Sequence, residues 1–520
     1  MSKMLKSSGA MAAATLTSRI LGMVREIVYA RFMGDGWVAG AFQLAFTIPN
    51  LFRRLLGEGA LTAAFIPVFK EKERTAGEQE MWRAANAVIS GLVVAAAAIV
   101  GLVLLGVAAA LAVHSFAPKT QLMLELLRVM FPYMLLVCLA AVFMGMLNAR
   151  GHFFIPAMGA TLLNVVMIAS VLWLAPHLGY ELHEQIFALA IGVLAAGVAQ
   201  AAFQLPTLRR EGFRYQWVSP WRDETVRHVV RQMIPGTIGV AAFQINVLLT
   251  QGIAFWVDAP IVASFNYAVR LLELPQGVFG ISLATYLLPT LSGLAAEKKY
   301  PEFRTTLRQG LGHLIFVNLL AAVLLVVLAE PIVRLLFERG KFTAESTDRV
   351  TLALVCLAPS LLGYSMVNIL ARAFYALGDT KTPMKISLVC LTLNLVLAVS
   401  LVTRFRQAGL GIANTLTASC NVCFLIYALR HKLHGLELQP LRQTLLPLAA
   451  AGLLAGALAW ASGWVWEQWG GHATLLQEIG AVFVPAAAAG LAYWLIALWA
   501  RFPAALEMRD LLWQKLRRRA

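Results

Sequence analysis

Residues 84–113 read AANAVISGLVVAAAAIVGLVLLGVAAALAV, a run without a single Asp, Glu, Lys or Arg. A helix needs about 20 mostly apolar residues to cross a hydrocarbon core, so this run is long enough to span a bilayer. Stretches of the same kind occur on both sides of it: 8–32, 38–66, 122–148, 154–175, 184–206, 230–256, 260–289, 309–337, 350–376, 383–403, 408–430, 443–466 and 476–500. They predict an all-α integral membrane protein with about fourteen transmembrane helices. The second and eighth stretches are long and hold Pro or Gly, which predicts a bend in each.

Composition agrees. Of 520 residues, 59% are hydrophobic and 13% charged, against roughly 25% charged in a soluble domain. Such a chain cannot cover a water-facing surface of its own size. That excludes a single soluble enzyme, a secreted disulfide scaffold and a disordered chain. No stretch between spans is long enough for a soluble domain, and the N-terminus lacks a signal-peptide cleavage pattern. Cys138, Cys356, Cys390, Cys420 and Cys423 all lie in apolar runs. The CxxC at Cys420–Cys423 is read as a pair of buried small helix residues, without a second pair or nearby His to make a metal site.

Lys and Arg number 43 against 27 Asp and Glu, a net +16. With an even number of spans, alternate loops form two sets. One set, with both termini, holds about 29 Lys and Arg, among them Lys70, Arg150, Arg209, Arg210, Arg214, Arg222, Lys298 and Lys432; the other holds about 8, among them Arg31, Lys119, Arg339 and Lys341. The positive-inside rule puts the basic set and both termini in the cytoplasm. The tail Lys515 and Arg517–Arg519 suits an anionic lipid surface. The basic surplus therefore sets orientation and does not indicate nucleic acid.

Two segments repeat in order. Ala41-Phe42-Gln43-Leu44-Ala45 corresponds to Ser264-Phe265-Asn266-Tyr267-Ala268, and Ala64-Phe65-Ile66-Pro67 to Tyr286-Leu287-Leu288-Pro289. Asn148-Ala149-Arg150-Gly151 with Pro156 corresponds to Tyr375-Ala376-Leu377-Gly378 with Pro383. Six helices per unit is an even number, so this is a parallel repeat, whose substrate site is expected at the repeat interface near the midplane. The expected organisation is an N-lobe at 1–215 (helices 1–6), a C-lobe at 216–437 (helices 7–12), helices 13 and 14 at 438–502 and a basic tail at 503–520.

Arg19, Arg25, Arg53, Arg54, Arg128 and Arg270 remain inside apolar stretches. An Arg at mid-membrane costs about 2.5–3.5 kcal/mol on insertion scales and normally faces water or a counter-charge. On the first helix Thr15, Ser18, Arg19, Gly22, Arg25 and Glu26 fit an arc of roughly 120°. The eighth carries Asn266, Arg270, Glu273, Gly277 and Gly280, with Arg270 and Glu273 spaced to pair. The second carries Pro49-Asn50, Arg53, Arg54, Gly57 and Glu58. These stripes imply a cationic central cavity, and guanidinium groups suit a phosphate-bearing anion. The competing reading is structural: Arg19, Arg25, Arg53 and Arg270 bridging to Glu26, Glu58 and Glu273, and Arg54 pairing with Glu58. Asn164 and Gln244, inside apolar helices, are either ligands or packing glue. Trp460, Trp464, Trp466 and Trp469 read as an interfacial aromatic belt.

These motifs carry a family resemblance. Ser18-Arg19-Ile20-Leu21-Gly22 with Arg25-Glu26, Ile48-Pro49-Asn50-Leu51 with Arg53-Arg54 and Glu58-Gly59, and Arg270-Leu271 with Glu273-Leu274-Pro275, Gly277 and Gly280 resemble the lipid II flippase family (MurJ, or MviN) of the multidrug/oligosaccharidyl-lipid/polysaccharide (MOP) exporter superfamily. So do Leu287-Leu288-Pro289 and Gly340-Lys341-Phe342-Thr343. The resemblance covers nearly the whole chain.

It implies two six-helix lobes, with helices 13 and 14 bordering a groove for a lipid tail. It implies lipid II, an undecaprenyl-pyrophosphate glycopeptide, as substrate, and a multi-pass protein of the bacterial cytoplasmic (inner) membrane. Membrane lipids and the cell-wall synthesis machinery are the other implied partners. The family's essential cavity arginines fall on Arg19, Arg25, Arg53 and Arg270, with Glu273 beside the last. Gly40 stands where the family often has Asp. For the sodium site reported in some members this chain offers Asn394, Asn414, Thr415 and Asn421 but no acid in mid-helix 11, so no metal and no cofactor is assigned. No GxxxxGK[ST] loop for ATP is present. The alternatives are a flippase for another polyprenyl-linked glycan or a drug exporter, for which cavity acids would be expected. A membrane enzyme would need paired carboxylates; a scaffold would not need the arginine set.

Overall fold

The computed structural model describes residues 3–55, 61–436 and 439–517. Among them the chain is nearly all helix, with no strand. Contacts divide it into two compact units, Met1–Ala263 with Arg339–Phe342, and Ser264–Glu338 with Thr343–Ala520. The first holds α1 (Lys3–Met33), α2 (Trp37–Phe52), α3 (Leu61–Val113), α4 (Pro118–Met130), α5 (Tyr133–Ala149), α6 (Phe154–Ala169), α7 (Leu182–Gln185), α8 (Phe187–Arg210), α9 (Glu224–Val257) and the start of α10 (Ala259–Pro275). The second holds the rest of α10, a π-helical segment Gln276–Ile281, α11 (Ser282–Ala296), α12 (Tyr300–Val327), α13 (Ala329–Phe337), α14 (Ala344–Leu357), α15 (Ser360–Ala376), α16 (Lys381–Lys432), α17 (Gln439–Trp469), α18 (Leu475–Trp499) and α19 (Pro503–Arg517). The sequence repeat divides the chain at 215/216; by contact α9 groups with the first unit, where it packs on α2 and α3.

Eight helices among the described residues are long and apolar enough to cross a membrane, or eleven if each bent pair is one span. α1 and α2 are outside that count, and α16 enters it once although Arg406, at φ 51°, breaks its helical path. The polytopic helical fold stands; this measure does not reach fourteen.

The bends follow proline. The eighth stretch turns by 42° between Ala259–Val278 and Leu283–Ala296. Pro275 has no N–H to donate there, and the π-helical segment holding Gly277 and Gly280 follows it. In the second stretch, α2 holds Pro49 and passes into a π-turn at 53–55. Two further bends, of 41° between α4 and α5 and 44° between α14 and α15, fall at Pro132 and Pro359. These prolines share the spacing of the Gly151 and Gly378 corners, so they are one feature in two copies.

Each unit has its own core. Phe65, Phe69, Met81, Trp82, Phe143 and Phe213 pack together in the first; Leu287, Leu291, Phe303, Ile369, Phe374 and Leu429 do so in the second. Beside each core an ion pair closes the turn between two helices. In the first, Arg150 bonds to Glu73 at 2.6 Å, Glu78 at 3.0 Å and Glu211 at 2.8 Å, and His152 to Glu211 at 2.8 Å. Hydrogen bonds from Lys70 to Glu73, and from His152 and Arg150 to Glu211, hold both carboxyls below the usual range. In the second, Lys432 bonds to Asp379 at 2.6 Å, and Thr382 donates to the same carboxylate through its backbone N–H and its hydroxyl. The Lys432 bond, then those of Thr382, depress the Asp379 carboxyl further. Gly151 and Gly378, at φ 86° and 72°, let the chain reverse at these two corners.

α17 and α18 pack on α12 through Leu448, Ala451, Ala455 and Tyr493, whose hydroxyl donates to Phe316 O at 2.8 Å. Trp460, Trp464 and Trp469 are exposed, as a belt requires. Trp466 departs from that expectation: its Nε1 donates to Gln477 O at 3.0 Å and its ring packs against Gly470 and Gly480, joining α17 to α18. The CxxC also needs correction. Cys423 is exposed and Cys420 half-buried, because both lie on the outward side of α16.

Candidate functional site

Arg25 and Glu26 are the most deeply placed pair in α1. Arg25 Nη2 donates to Glu26 Oε1 at 2.5 Å, with the side chains 14% and 10% exposed. Adjacent helix residues point about 100° apart, and the long guanidinium stem closes that gap. The Arg25 guanidinium also lies 5.4 Å from the Tyr29 ring centroid, a cation–π contact. Its Nε is buried without a protein acceptor.

One turn earlier, Ser18 offers its backbone: Asn164 Nδ2 donates to Ser18 O at 3.1 Å. Asn164 is buried on α6 beside Gly22, so this bond joins α6 to α1. Arg19 is exposed. On α2, Arg53 Nε donates to Asn50 Oδ1 at 2.7 Å, and Arg54 is half-buried. Arg53 is the C-cap of α2, where helix carbonyls favour a cation. Glu58 lies outside the described residues.

Tyr133, at the start of α5, is buried, and its ring centroid lies 6.2 Å from that of Phe46 on α2. Tyr133, directly after the Pro132 bend, was not anticipated from sequence. Nor were Gln43, Thr47 and Gln251. The Thr47 hydroxyl bonds to Gln43 O and to Gln251 Oε1, each at 2.8 Å. Gln43, Thr47, Asn50 and Arg54 follow the i, i+4, i+7, i+11 spacing of one helix face. That periodicity was the available signal for Gln43 and Thr47. Gln244 is buried on α9, one residue type and two turns before Gln251.

Gly40 has a plain geometric role. A Cβ there would stand 2.1 Å from Ala259 O, so α2 and the start of α10 meet backbone to backbone.

The second unit carries Arg270 and Glu273, paired at 2.8 Å and 40% and 47% exposed. This is the expected i, i+3 pair on α10. Arg372 is a helix residue of α15, and its Nη1 donates to Thr285 Oγ1 at 2.8 Å. Gly280 serves packing, since a Cβ there would meet Ser365 Oγ at 2.7 Å.

The two arginines of the first unit differ chemically. Glu26 balances Arg25, and the Asn50 amide orients Arg53. A phosphate can therefore accept hydrogen bonds from Arg53 and from the uncommitted Arg25 Nε with charge assistance. Among the described residues no three His, Cys, Asp or Glu side chains are grouped to hold a metal.

Comparison with known proteins follows the same lines. A family model described as lipid II flippase MurJ matches residues 29–479. A probable lipid II flippase MurJ of Vibrio cholerae is 33% identical over 491 residues, covering 90% of this chain and 91% of that protein. Among solved structures, a lipid II flippase MurJ in an inward closed conformation superposes with a TM-score of 0.78 at 21% identity, over 96% of this chain and 99% of that one. An inward-facing multidrug resistance MATE family transporter of the MOP superfamily gives 0.66 at 14% identity, over 83% and 99%.

Proposed function

The chain belongs to the lipid II flippase MurJ family, and from that membership we infer that it is a lipid II flippase, an integral membrane transporter serving peptidoglycan synthesis. The observation that supports the chemistry is the buried Arg25 guanidinium, whose Nε has no protein acceptor. Guanidinium groups held away from bulk water select an anion, and lipid II presents a pyrophosphate.

The proposed cycle starts with the site open to the cytoplasm, the side of the basic loops and both termini. In the first unit Arg19, Arg25 and Arg53 hold the pyrophosphate, with Asn50, Arg54, Glu58, Ser18, Glu26, Asn164 and Gln244 as supporting polar residues; in the second, Arg270 and Glu273 are assigned to substrate binding in the same cycle. The pyrophosphate accepts from Arg25 Nε while Glu26 stays on Nη2, so neither buried charge loses its partner. Arg53, oriented by Asn50, supplies a second guanidinium. The glycopeptide head follows into the site while the polyprenyl tail stays in lipid beside α17 and α18. The units then rearrange to open outward. An inside-negative membrane potential favours outward movement of an anion by about 2.3 kcal/mol per charge per 100 mV. In full the reading is a protein of fourteen spans in the bacterial cytoplasmic membrane.

The test is depletion of the protein in a host with no other flippase, followed by measurement of lipid II accessible at the outer leaflet. Accessible lipid II is expected to fall as the precursor accumulates inside. Unchanged accessibility overturns the assignment.

A further inference from the structure

The segment from the end of α8 to the first turns of α9 lies outside the transport site. Residues 209–231 contain Arg209, Arg210, Arg214, Arg222, Arg227 and Arg231 against Glu211, Asp223 and Glu224. All six arginines are exposed. Two of the three acids are engaged elsewhere: Glu211 binds Arg150 and His152, and Asp223 caps α9 by accepting from the Thr225 and Val226 amides. Between these arginines stand three exposed aromatics, Tyr215, Trp217 and Trp221, the two Trp at 59% and 71% exposure.

The segment is pinned at a definite height on α3. Phe213 is buried in the core of the first unit. Asn86 Nδ2 donates to Arg214 O at 3.0 Å. Ser90 Oγ lies 3.2 Å from the Tyr215 hydroxyl and accepts from the Val218 N–H at 3.3 Å, and Pro220 abuts Gly91. Arg83 is the last charge of α3 before its apolar run. At 1.5 Å per residue, Asn86 to Gly91 lie roughly 5–12 Å from it along the axis, which spans the headgroup layer of about 5–8 Å and the first ångströms of hydrocarbon below it. Exposed Trp at that height faces lipid headgroups, where Trp and Tyr are favoured. Arginines beside it meet the phosphate layer.

We propose that residues 209–231 form a surface strap that binds anionic phospholipid, with Arg214, Arg222, Arg227 and Arg231 on the headgroup phosphates and Trp217 and Trp221 seated at the membrane interface. Charge complementarity selects acidic over zwitterionic lipid. The Asn86 and Ser90 bonds fix the strap's depth, so binding needs no folding step. This holds whatever the transported substrate is.

The test titrates purified full-length protein in detergent with phosphatidylglycerol and, in parallel, with phosphatidylcholine of the same acyl chains. Bound lipid is counted by native mass spectrometry. Wild type is expected to prefer phosphatidylglycerol, and the preference to weaken in high salt, which requires no variant. In R214Q/R222Q the affinity for phosphatidylglycerol falls on the order of 25-fold, roughly fivefold for each basic residue removed from an anionic surface. W217S/W221S weakens both lipids alike. Excess glycerol phosphate does not compete, because the acyl-linked headgroup at the interface is the ligand. Equal binding of the two lipids by wild type overturns the proposal, as does an undiminished preference in R214Q/R222Q. Capture of a soluble polyglutamate peptide by the strap without lipid discrimination overturns it in favour of an acidic protein partner.

Discussion

Replacing Arg25 by Ala separates two roles that the geometry superimposes. The guanidinium and the Glu26 carboxylate are 2.5 Å apart and mostly buried. Removing the cation leaves a buried carboxylate without that partner, which in comparable pairs costs about 3–5 kcal/mol. Arg25→Ala alone is therefore expected to lower thermal stability and to abolish growth, and neither result would distinguish structure from transport. The double variant Arg25→Met/Glu26→Gln removes the stranded charge and leaves a neutral pair of similar volume. Its stability is expected to recover most of that loss, since replacing both partners of a buried ion pair is often nearly neutral. Transport is expected to stay absent, because the anion site has lost its fork. The measurements are the unfolding midpoint of purified protein in lipid nanodiscs, complementation of a depletion strain, and outer-leaflet lipid II in that strain. If the double variant both folds and supports growth, Arg25 is a packing residue and the pyrophosphate assignment is wrong.

Arg270→Ala is expected to behave oppositely, losing transport with little change in unfolding midpoint, since an exposed i, i+3 pair contributes only about 0.3–0.5 kcal/mol; a large stability loss with normal complementation would refute its role. Gly40→Asp is expected to cost about 3 kcal/mol or more by driving a Cβ into Ala259 O, and a normal yield of stable protein would contradict the close approach of α2 and α10. The depressed Asp379 carboxyl contributes stability above the unfolded value of about 3.9 and loses it as pH falls through its lower native value. Rate-corrected amide exchange at 378–385 should thus stay slow at pH 5 and quicken only below about 3.9, whereas Asp379→Asn should be fast at both; quickening already at pH 5 would refute the Lys432 bond.

The fold was legible wherever apolar length alone decides, as in 84–113, and wherever proline removes a donor, as at Pro275. The matching bends at Pro132 and Pro359 were present in the sequence but hidden, because each falls inside a single apolar stretch. The grouping of α9 with the first unit was not legible: the repeat records ancestry, whereas side-chain packing on α2 and α3 decides contact. At the site, the Arg270–Glu273 pair follows from helix spacing. Arg25–Glu26 does not, since adjacent residues ordinarily diverge. Gln43 and Thr47 were readable from the face they share with Asn50, but Gln251 lies 204 residues from Thr47 and no local pattern joins them. Gly40 shows the same limit, because its reason is a backbone that the sequence does not place beside it.

The two corner latches have opposite polarity. After Gly151 stands His152, on a carboxylate from the end of α8; after Gly378 stands Asp379, on the ammonium ending α16. The two joints turn on a glycine each and carry opposite signs. An exchange of the α8 and α16 ends would oppose Arg150 and His152 to Lys432, and Asp379 to Glu211. Each helix end therefore fits its own corner and is repelled by the other.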